Sequence, residues 1–168
     1  MAFDGSDQEN VLLPKGTEKL MNTHGRQTKT VLFCGPIDEP LNSGRYMIAG
    51  MEKLGYKVIG YDYRTNNHYE NDILKIVETE KPDFVFTLKG EKFSPDYVRK
   101  IKASGCTTIL WFTVLFLEDW MITLAQEFDF VLVNADNNRI FLEEKGVRNV
   151  HWFHQGFDPE FFGIANLP

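Results

Sequence analysis

A charged pair around a glycine is the first feature of this sequence that could do chemistry. The stretch TLKGEKFSP, residues 87–95, follows an apolar run and brings Lys89, Gly90 and Glu91 together. Glycine accepts positive φ, so the backbone can turn both charged side chains toward one cleft. Lys89 could bind a polar ligand there, and Glu91 could act as a general base on a substrate hydroxyl. A solvated surface turn is the alternative interpretation.

The loop before the first helical pattern is a second candidate. It is long for a strand-to-helix connection, and it delivers Asn42, Ser43 and Gly44 to the start of a helix. Free backbone N–H groups and the positive end of the helix dipole favour an anion or a hydroxyl-rich ligand at such a position. Gly44 allows close approach, and Arg45 could reach a carboxylate or phosphate. A simple helix start after a long loop accounts for the same residues equally well.

Known nucleotide-binding fingerprints do not fit that loop. It contains neither GxGxxG nor GxxxxGK[ST], which excludes a P-loop and leaves little support for a dinucleotide site. Asp62, at the end of the second apolar run, is the only hint of a ribose-binding acid.

Aromatic side chains continue past the fourth apolar run in WFTVLFLEDW, residues 111–120. Trp111 could wall a pocket by stacking on a base or a sugar, or it could belong to the core. Residues 114–120 could form an exposed apolar patch, which would recruit a partner or a second copy of the chain.

The last apolar run ends in HWFHQGFDPEFF. Gln155, Gly156 and Asp158 could line a cleft through their amide and carboxylate groups, and Asp158 is the second candidate base after Glu91. His151 and His154 should point to opposite faces of a strand, and no third ligand accompanies them, so no metal site is expected.

Six short apolar runs alternate with five helical patterns. The runs cover residues 30–34, 57–62, 83–87, 107–112, 129–134 and 149–153, and they are nearly continuous, as in strands of a parallel sheet covered on both faces. We therefore predict a doubly wound α/β domain over residues 29–168, a Rossmann-like three-layer sandwich with a six-stranded parallel sheet. In such a sheet, the candidate loops lie at the carboxyl ends of the strands, where ligands bind.

The remaining residues and the composition set limits on the class of protein. Residues 1–28 are polar and are predicted to be a flexible lead-in, whose apolar run at 11–13 could be a short docking segment. The net charge is −6 and no basic block is present, which argues against a dedicated nucleic-acid surface.

Cys34 and Cys106 lie in apolar runs and are expected to be buried thiols. No apolar stretch is long enough to span a membrane, the first residues do not resemble a signal peptide, and a cytoplasmic location is expected.

Several phrases in order carry a resemblance to a known family. They are GYKVIGYDYR, then KPDFVFTLKGE, then a run containing Trp111, then FDFVLVNADNNRIFLEEKGVRNV, and finally GFDPEFF. Over residues 30–163 this order resembles the N-terminal half of GT-B glycosyltransferases, close to the spore-maturation-protein-like group. The resemblance implies transfer of a hexosyl or pentosyl group from a nucleotide-sugar co-substrate to an acceptor, without a metal or a tightly bound cofactor. It also implies that residues 35–44, 89–91 and 155–158 face the acceptor side of a cleft between two domains.

Two departures from the family pattern leave the function open. Val114, Leu115 and Phe116 stand where related sequences often carry acidic residues, and the sequence stops at Pro168, where a donor-binding domain is expected to start. That domain would then be supplied as a partner domain or second subunit. The alternatives are a non-catalytic binding or interaction module with this fold, and a deoxyribosyltransferase-like enzyme that would use Asp38, Glu39 and Glu91.

Overall fold

The computed structural model describes residues 28–39 and 42–156. The rest of the predicted lead-in and the C-terminal residues 157–168, which include Asp158, lie outside the described residues. Within the described ranges, the chain forms the following strands and helices: β1 (Thr30–Cys34), α1 (Ser43–Lys53), β2 (Lys57–Tyr61), α2 (Tyr69–Glu80), β3 (Phe84–Leu88), α3 (Pro95–Ala103), β4 (Thr107–Phe112), α4 (Asp119–Ala125), β5 (Phe130–Val133), α5 (Asp136–Glu144) and β6 (Val150–Trp152). The predicted alternation is confirmed.

The six strands form one sheet in the order β2-β1-β3-β4-β5-β6, and every neighbouring pair is parallel. The chain steps outward from β1 to β2 and then returns across β1 to β3. The strand order therefore reverses between β1 and β3, which makes this the topological switch point of the sheet. The predicted doubly wound α/β fold with a six-stranded parallel sheet is confirmed.

The two faces of the sheet are covered differently. Alternate strand residues such as Leu32, Val85 and Leu110 pack in the larger core cluster, together with side chains of α2, α3, α4 and α5. The intervening residues, including Phe33 and Phe86, pack in a smaller cluster with side chains of α1. We call these surfaces the four-helix face and the α1 face.

Local sequence explains where the helices begin and end. α3 begins with Pro95 at its first turn, and the Ser94 hydroxyl accepts a hydrogen bond of 3.2 Å from the Tyr97 N–H. α2 ends at Lys81, whose φ of 46° is left-handed, immediately before Pro82. α4 is short, with seven residues. Its last turn tightens into i→i+3 bonds, such as the one from Glu127 N–H to the Leu124 carbonyl.

Within the described ranges, no helix has both the length and the apolar character needed to cross a bilayer.

Candidate functional site

The switch point brings together most of the residues that the sequence analysis selected. β1 and β3 are neighbours, so the loop after β1 and the loop after β3 leave the same edge of the sheet side by side. An atom added as Cβ at Gly35 would lie 3.0 Å from Leu88 Cβ, which shows how closely the two strand ends approach. We define the switch-point crevice as residues 35–39, 42–45, 62–65 and 89–92.

The start of α1 forms one side of this crevice and requires a glycine. Gly44 is buried, its N–H donates to the Pro36 carbonyl at 3.2 Å, and a Cβ there would lie 2.4 Å from that same oxygen. No L side chain fits without displacement of the loop. Asn42 makes no side-chain capping bond, and the first turn carries no acidic residue, so neither offsets the positive end of the α1 dipole.

Lys89 and Gly90 follow β3, next to the loop after β1, and share an unusual backbone conformation. Their φ values are 70° and 74°, so the predicted positive φ at Gly90 is confirmed and extends to the lysine before it. A left-handed lysine costs about 1–3 kcal/mol and persists only where surrounding structure holds it. Here the Lys89 N–H donates to the Trp111 carbonyl at 2.9 Å. Among the described residues, no acidic side chain pairs with the Lys89 ammonium.

Glu91 belongs to a network that the sequence analysis did not foresee. Its Oε2 lies 2.5 Å from the hydroxyl of Tyr63, a fully buried residue, and its Oε1 lies 2.6 Å from Arg64 Nε. The Tyr63 hydroxyl also accepts a hydrogen bond of 3.1 Å from the Gly90 N–H. Burial, and then the neighbouring Glu91 carboxylate, raise the pKa of Tyr63. Tyr63 therefore acts as a neutral donor that links the loop after β2 to the loop after β3.

Arg64 is likewise affected both by burial and by the neighbouring Glu91 carboxylate. Burial by itself lowers the pKa of its guanidinium, but the Glu91 carboxylate and the Tyr63 hydroxyl raise it overall. The ion pair uses Arg64 Nε, and roughly a third of each side chain is exposed to solvent. A substrate hydroxyl that used Glu91 as a base would compete with Arg64 and Tyr63 for the carboxylate.

Asp62 does not have the free carboxylate that a ribose-binding acid needs. Its Oδ2 accepts hydrogen bonds from the N–H groups of Ile37 (2.8 Å) and Asp38 (3.3 Å), and its Oδ1 accepts one from Arg64 N–H at 3.0 Å. Asp62 is buried, and these bonds tie the loop after β1 to the end of β2. The carboxylate shapes the crevice without facing a ligand.

Trp111 adjoins the crevice only through its backbone carbonyl, and the other selected residues lie farther away. Trp111 is 4% exposed and packs edge-to-face against Phe86 and Phe153, with ring centroids 6.5 Å and 5.3 Å away. Its Nε1 has no hydrogen-bond partner among the described residues. Gln155 and Gly156 follow β6, three strands from β3, or about 14 Å at the usual strand spacing. The third member of that predicted group, Asp158, cannot be placed.

An exposed apolar patch follows β4, as expected. Leu115 is 72% exposed and Phe116 is 84% exposed, whereas Trp120 is partly covered and donates from Nε1 to Glu118 at 3.0 Å. Among residues 28–39 and 42–156, no three histidine, cysteine or acidic side chains are grouped to hold a metal ion.

Tyr63 and Arg64 were missed because their roles depend on partners far away in sequence. The available signal was the phrase YDYR at the end of β2, a strand that neighbours β1 at the switch point. A buried tyrosine with a polar terminus usually has a hydrogen-bond partner, but local sequence does not say which one.

No family model and no curated protein matches this sequence. Among solved structures, an ABC sugar transporter subunit from Rhodobacter sphaeroides 2.4.1 is similar, with a TM-score of 0.47 and 12% sequence identity. The similarity covers 82% of this chain and 60% of the transporter subunit, so the chain spans less than two thirds of that protein.

Proposed function

We propose that this chain is the acceptor-side domain of a GT-B type glycosyltransferase. It would hold an acceptor in the switch-point crevice while a donor-binding domain or subunit presents a nucleotide sugar. The observation that carries the proposal is that a left-handed Lys89 and an uncapped α1 start follow the ends of two neighbouring strands at the switch point. Strained backbone of this kind clusters at functional sites.

The chemistry of the crevice suits a hydroxyl-rich acceptor. Asn42 and Ser43 offer side-chain donors and acceptors, and the nearby α1 N–H groups favour an oxygen ligand. Arg45 and Lys89 add positive charge, so an acceptor that carries a phosphate or carboxylate would also fit. The paired Arg64 and Glu91 offer a donor and an acceptor at the third strand end.

Within this proposal, Glu91 is the first candidate for the base, and Asp158, which lies outside the described residues, is the second. An acceptor hydroxyl that displaced Arg64 from Glu91 Oε1 would place its proton next to the carboxylate, as general base catalysis requires. Tyr63 would keep the other carboxylate oxygen fixed during that exchange.

Thermal-shift titration tests the binding half of the proposal. A panel of mono- and oligosaccharides, nucleotide sugars and free nucleotides is added to the chain. We expect a saccharide to raise the melting temperature, because a ligand at 100 times its Kd adds about 2.7 kcal/mol. Lys89→Ala should abolish the shift, whereas Lys75→Ala, a matched surface change on α2, should keep it. The proposal fails if no saccharide shifts the transition or if both variants respond alike.

A non-catalytic binding module is the second candidate, and two observations favour it. Both oxygens of Glu91 already have partners, and the residues after β4 that are acidic in the resembling family are here exposed and apolar. The Glu91→Gln variant separates the two functions in an assembly that transfers sugar. If Glu91 is the base, we expect transfer to fall by at least about 100-fold with ligand binding retained. Unchanged transfer would remove Glu91 as the base.

A further inference from the structure

The α1 face of the sheet is covered over only part of its width by the described residues. Within residues 28–39 and 42–156, four helices pack on the opposite face, and α1 is the one helix that packs here, against β1, β2 and β3. Farther along the same face, Phe130 is 40% exposed and Phe153 is 50% exposed. All-parallel sheets are usually covered on both faces, and the described part of the chain leaves this apolar surface uncovered.

Beside α1 the surface deepens into a groove of about 300 Å³, which we call the α1 groove. Its lining is almost wholly apolar and comes from three strands and the end of α1: Val31, Met51, Tyr56, Phe84, Phe86 and Ile109. The groove lies toward the amino ends of the strands, since Val31 is the second residue of β1 and Phe84 is the first of β3. It is therefore distinct from the switch-point crevice at the carboxyl ends.

The chain enters the fold directly beside this groove. Lys29 Nζ lies 2.5 Å from Asp83 Oδ1, and the Thr30 N–H donates to Asp83 Oδ2 at 2.8 Å. Asp83 immediately precedes Phe84, and Thr30 immediately precedes Val31, so both partners adjoin groove residues. These contacts fix the point from which residues 1–27 depart.

We propose that Val11, Leu12 and Leu13 of this same chain dock in the α1 groove. They form the one run of three consecutive aliphatic residues among residues 1–28, and the groove is an apolar site of matching chemistry. Burial of aliphatic side chains against it would stabilise the domain by roughly 25 cal/mol for each Å² removed from water.

The tether favours this segment over a second copy of the chain. About 15 residues separate Leu13 from residue 28. A chain of that length with random-coil dimensions would have a typical span of about 20 Å, enough to reach the groove. Such a tether holds the segment near the groove at an effective concentration on the order of millimolar. A second copy at micromolar concentration would need roughly a thousandfold greater intrinsic affinity to compete.

Disulfide trapping in the full-length chain tests the proposal. Leu12→Cys is combined with Met51→Cys in the groove, and Leu20→Cys with Met51→Cys is the matched control. The native thiols Cys34 and Cys106 are buried and should not interfere. We expect the 12–51 pair to form an intrachain disulfide at least ten times faster than the 20–51 pair, at a rate independent of protein concentration.

Three results would overturn the proposal. Equal rates for the two pairs would show no preference for residues 11–13. Faster trapping of a Phe161→Cys and Met51→Cys pair would assign the groove to the C-terminal segment. Concentration-dependent interchain disulfides would assign it to a second copy.

A measurement without new cysteines covers the case in which the Met51 variant fails to fold. The Leu12→Asp/Leu13→Asp variant should bind more of the dye ANS than the wild type, because the groove is uncovered, and Leu20→Asp should not. Equal dye binding by all three proteins would contradict the proposal.

Discussion

At the scale of single residues, the candidate site depends on side chains whose partners lie about 25 positions away. Asp62 illustrates this most clearly, because one carboxylate accepts three backbone hydrogen bonds from two loops. Tyr63 and Arg64, its neighbours in sequence, hold Glu91 at the adjacent strand end. The phrase YDYR therefore connects β2 to both sides of the switch point.

Removal of the Asp62 carboxylate should destabilise the fold. Asp62→Ala leaves three backbone N–H groups without their acceptor, and we expect a loss of about 2–3 kcal/mol in the free energy of unfolding. The matched control is Asp38→Ala, since Asp38 is exposed and accepts one bond of 2.8 Å from Thr65 Oγ1. Its loss should stay within about 0.5 kcal/mol in urea denaturation. Equal losses for the two variants would argue against the bridging role of Asp62.

At the scale of elements, the crevice depends on where α1 begins. The loop after β1 passes so close to the first turn that a Cβ added at Gly44 would lie 2.4 Å from the Pro36 carbonyl oxygen and 2.7 Å from Ile37 Cγ2. The same helix contains a second glycine, Gly50, whose added Cβ would meet nothing within 4 Å. The same substitution at Gly44 and at Gly50 therefore distinguishes the effect of loop packing from the effect of helix propensity.

Alanine at these two glycines should have opposite effects. Gly50→Ala removes backbone freedom from the unfolded chain and should stabilise by about 0.5–1 kcal/mol. Gly44→Ala gains the same propensity but forces the Pro36 carbonyl away, and we expect a net loss of about 1–3 kcal/mol. Thermal denaturation of both variants checks the signs. A stabilised Gly44→Ala protein would show that the loop moves freely.

At the scale of the whole molecule, buried phenols and thiols link stability to alkaline pH. Burial is the largest cause that raises the pKa of Tyr63, Tyr97 and Cys34 in the folded protein. An unfolded chain ionises its tyrosines near pH 10, whereas the folded protein does so only at higher pH. The stabilising effect of the buried tyrosines is therefore complete below about pH 10, and that of the Cys34 thiol below about pH 9; each is lost as the pH rises toward the folded pKa.

Replacement of one buried tyrosine should reduce that loss. Above pH 10, each such group lowers the free energy of unfolding by up to about 1.4 kcal/mol per pH unit. Tyr63→Phe should therefore show a shallower decline than the wild type between pH 10 and 11, and Tyr97→Phe should do the same. Urea denaturation at pH 9, 10 and 11 measures the slopes. Identical slopes in all three proteins would contradict the assignment.

The sequence by itself determined the alternation of strands and helices and the edge at which candidate residues lie. Each predicted apolar run matches an observed strand to within one residue at either end, because period and turn residues are local signals. The positive φ at Gly90 could also be predicted from the sequence, since glycine at a strand end permits it.

Only the tertiary structure decided which loops meet. The return of the chain across β1 places residues 89–91 beside the loop after β1 and leaves Gln155 and Gly156 three strands away. It also buries Trp111 and pairs Glu91 with Arg64, and among the described residues it leaves part of the α1 face uncovered. Strand order depends on contacts between distant segments, which local periodicity does not encode, and so these arrangements could not be predicted from the sequence.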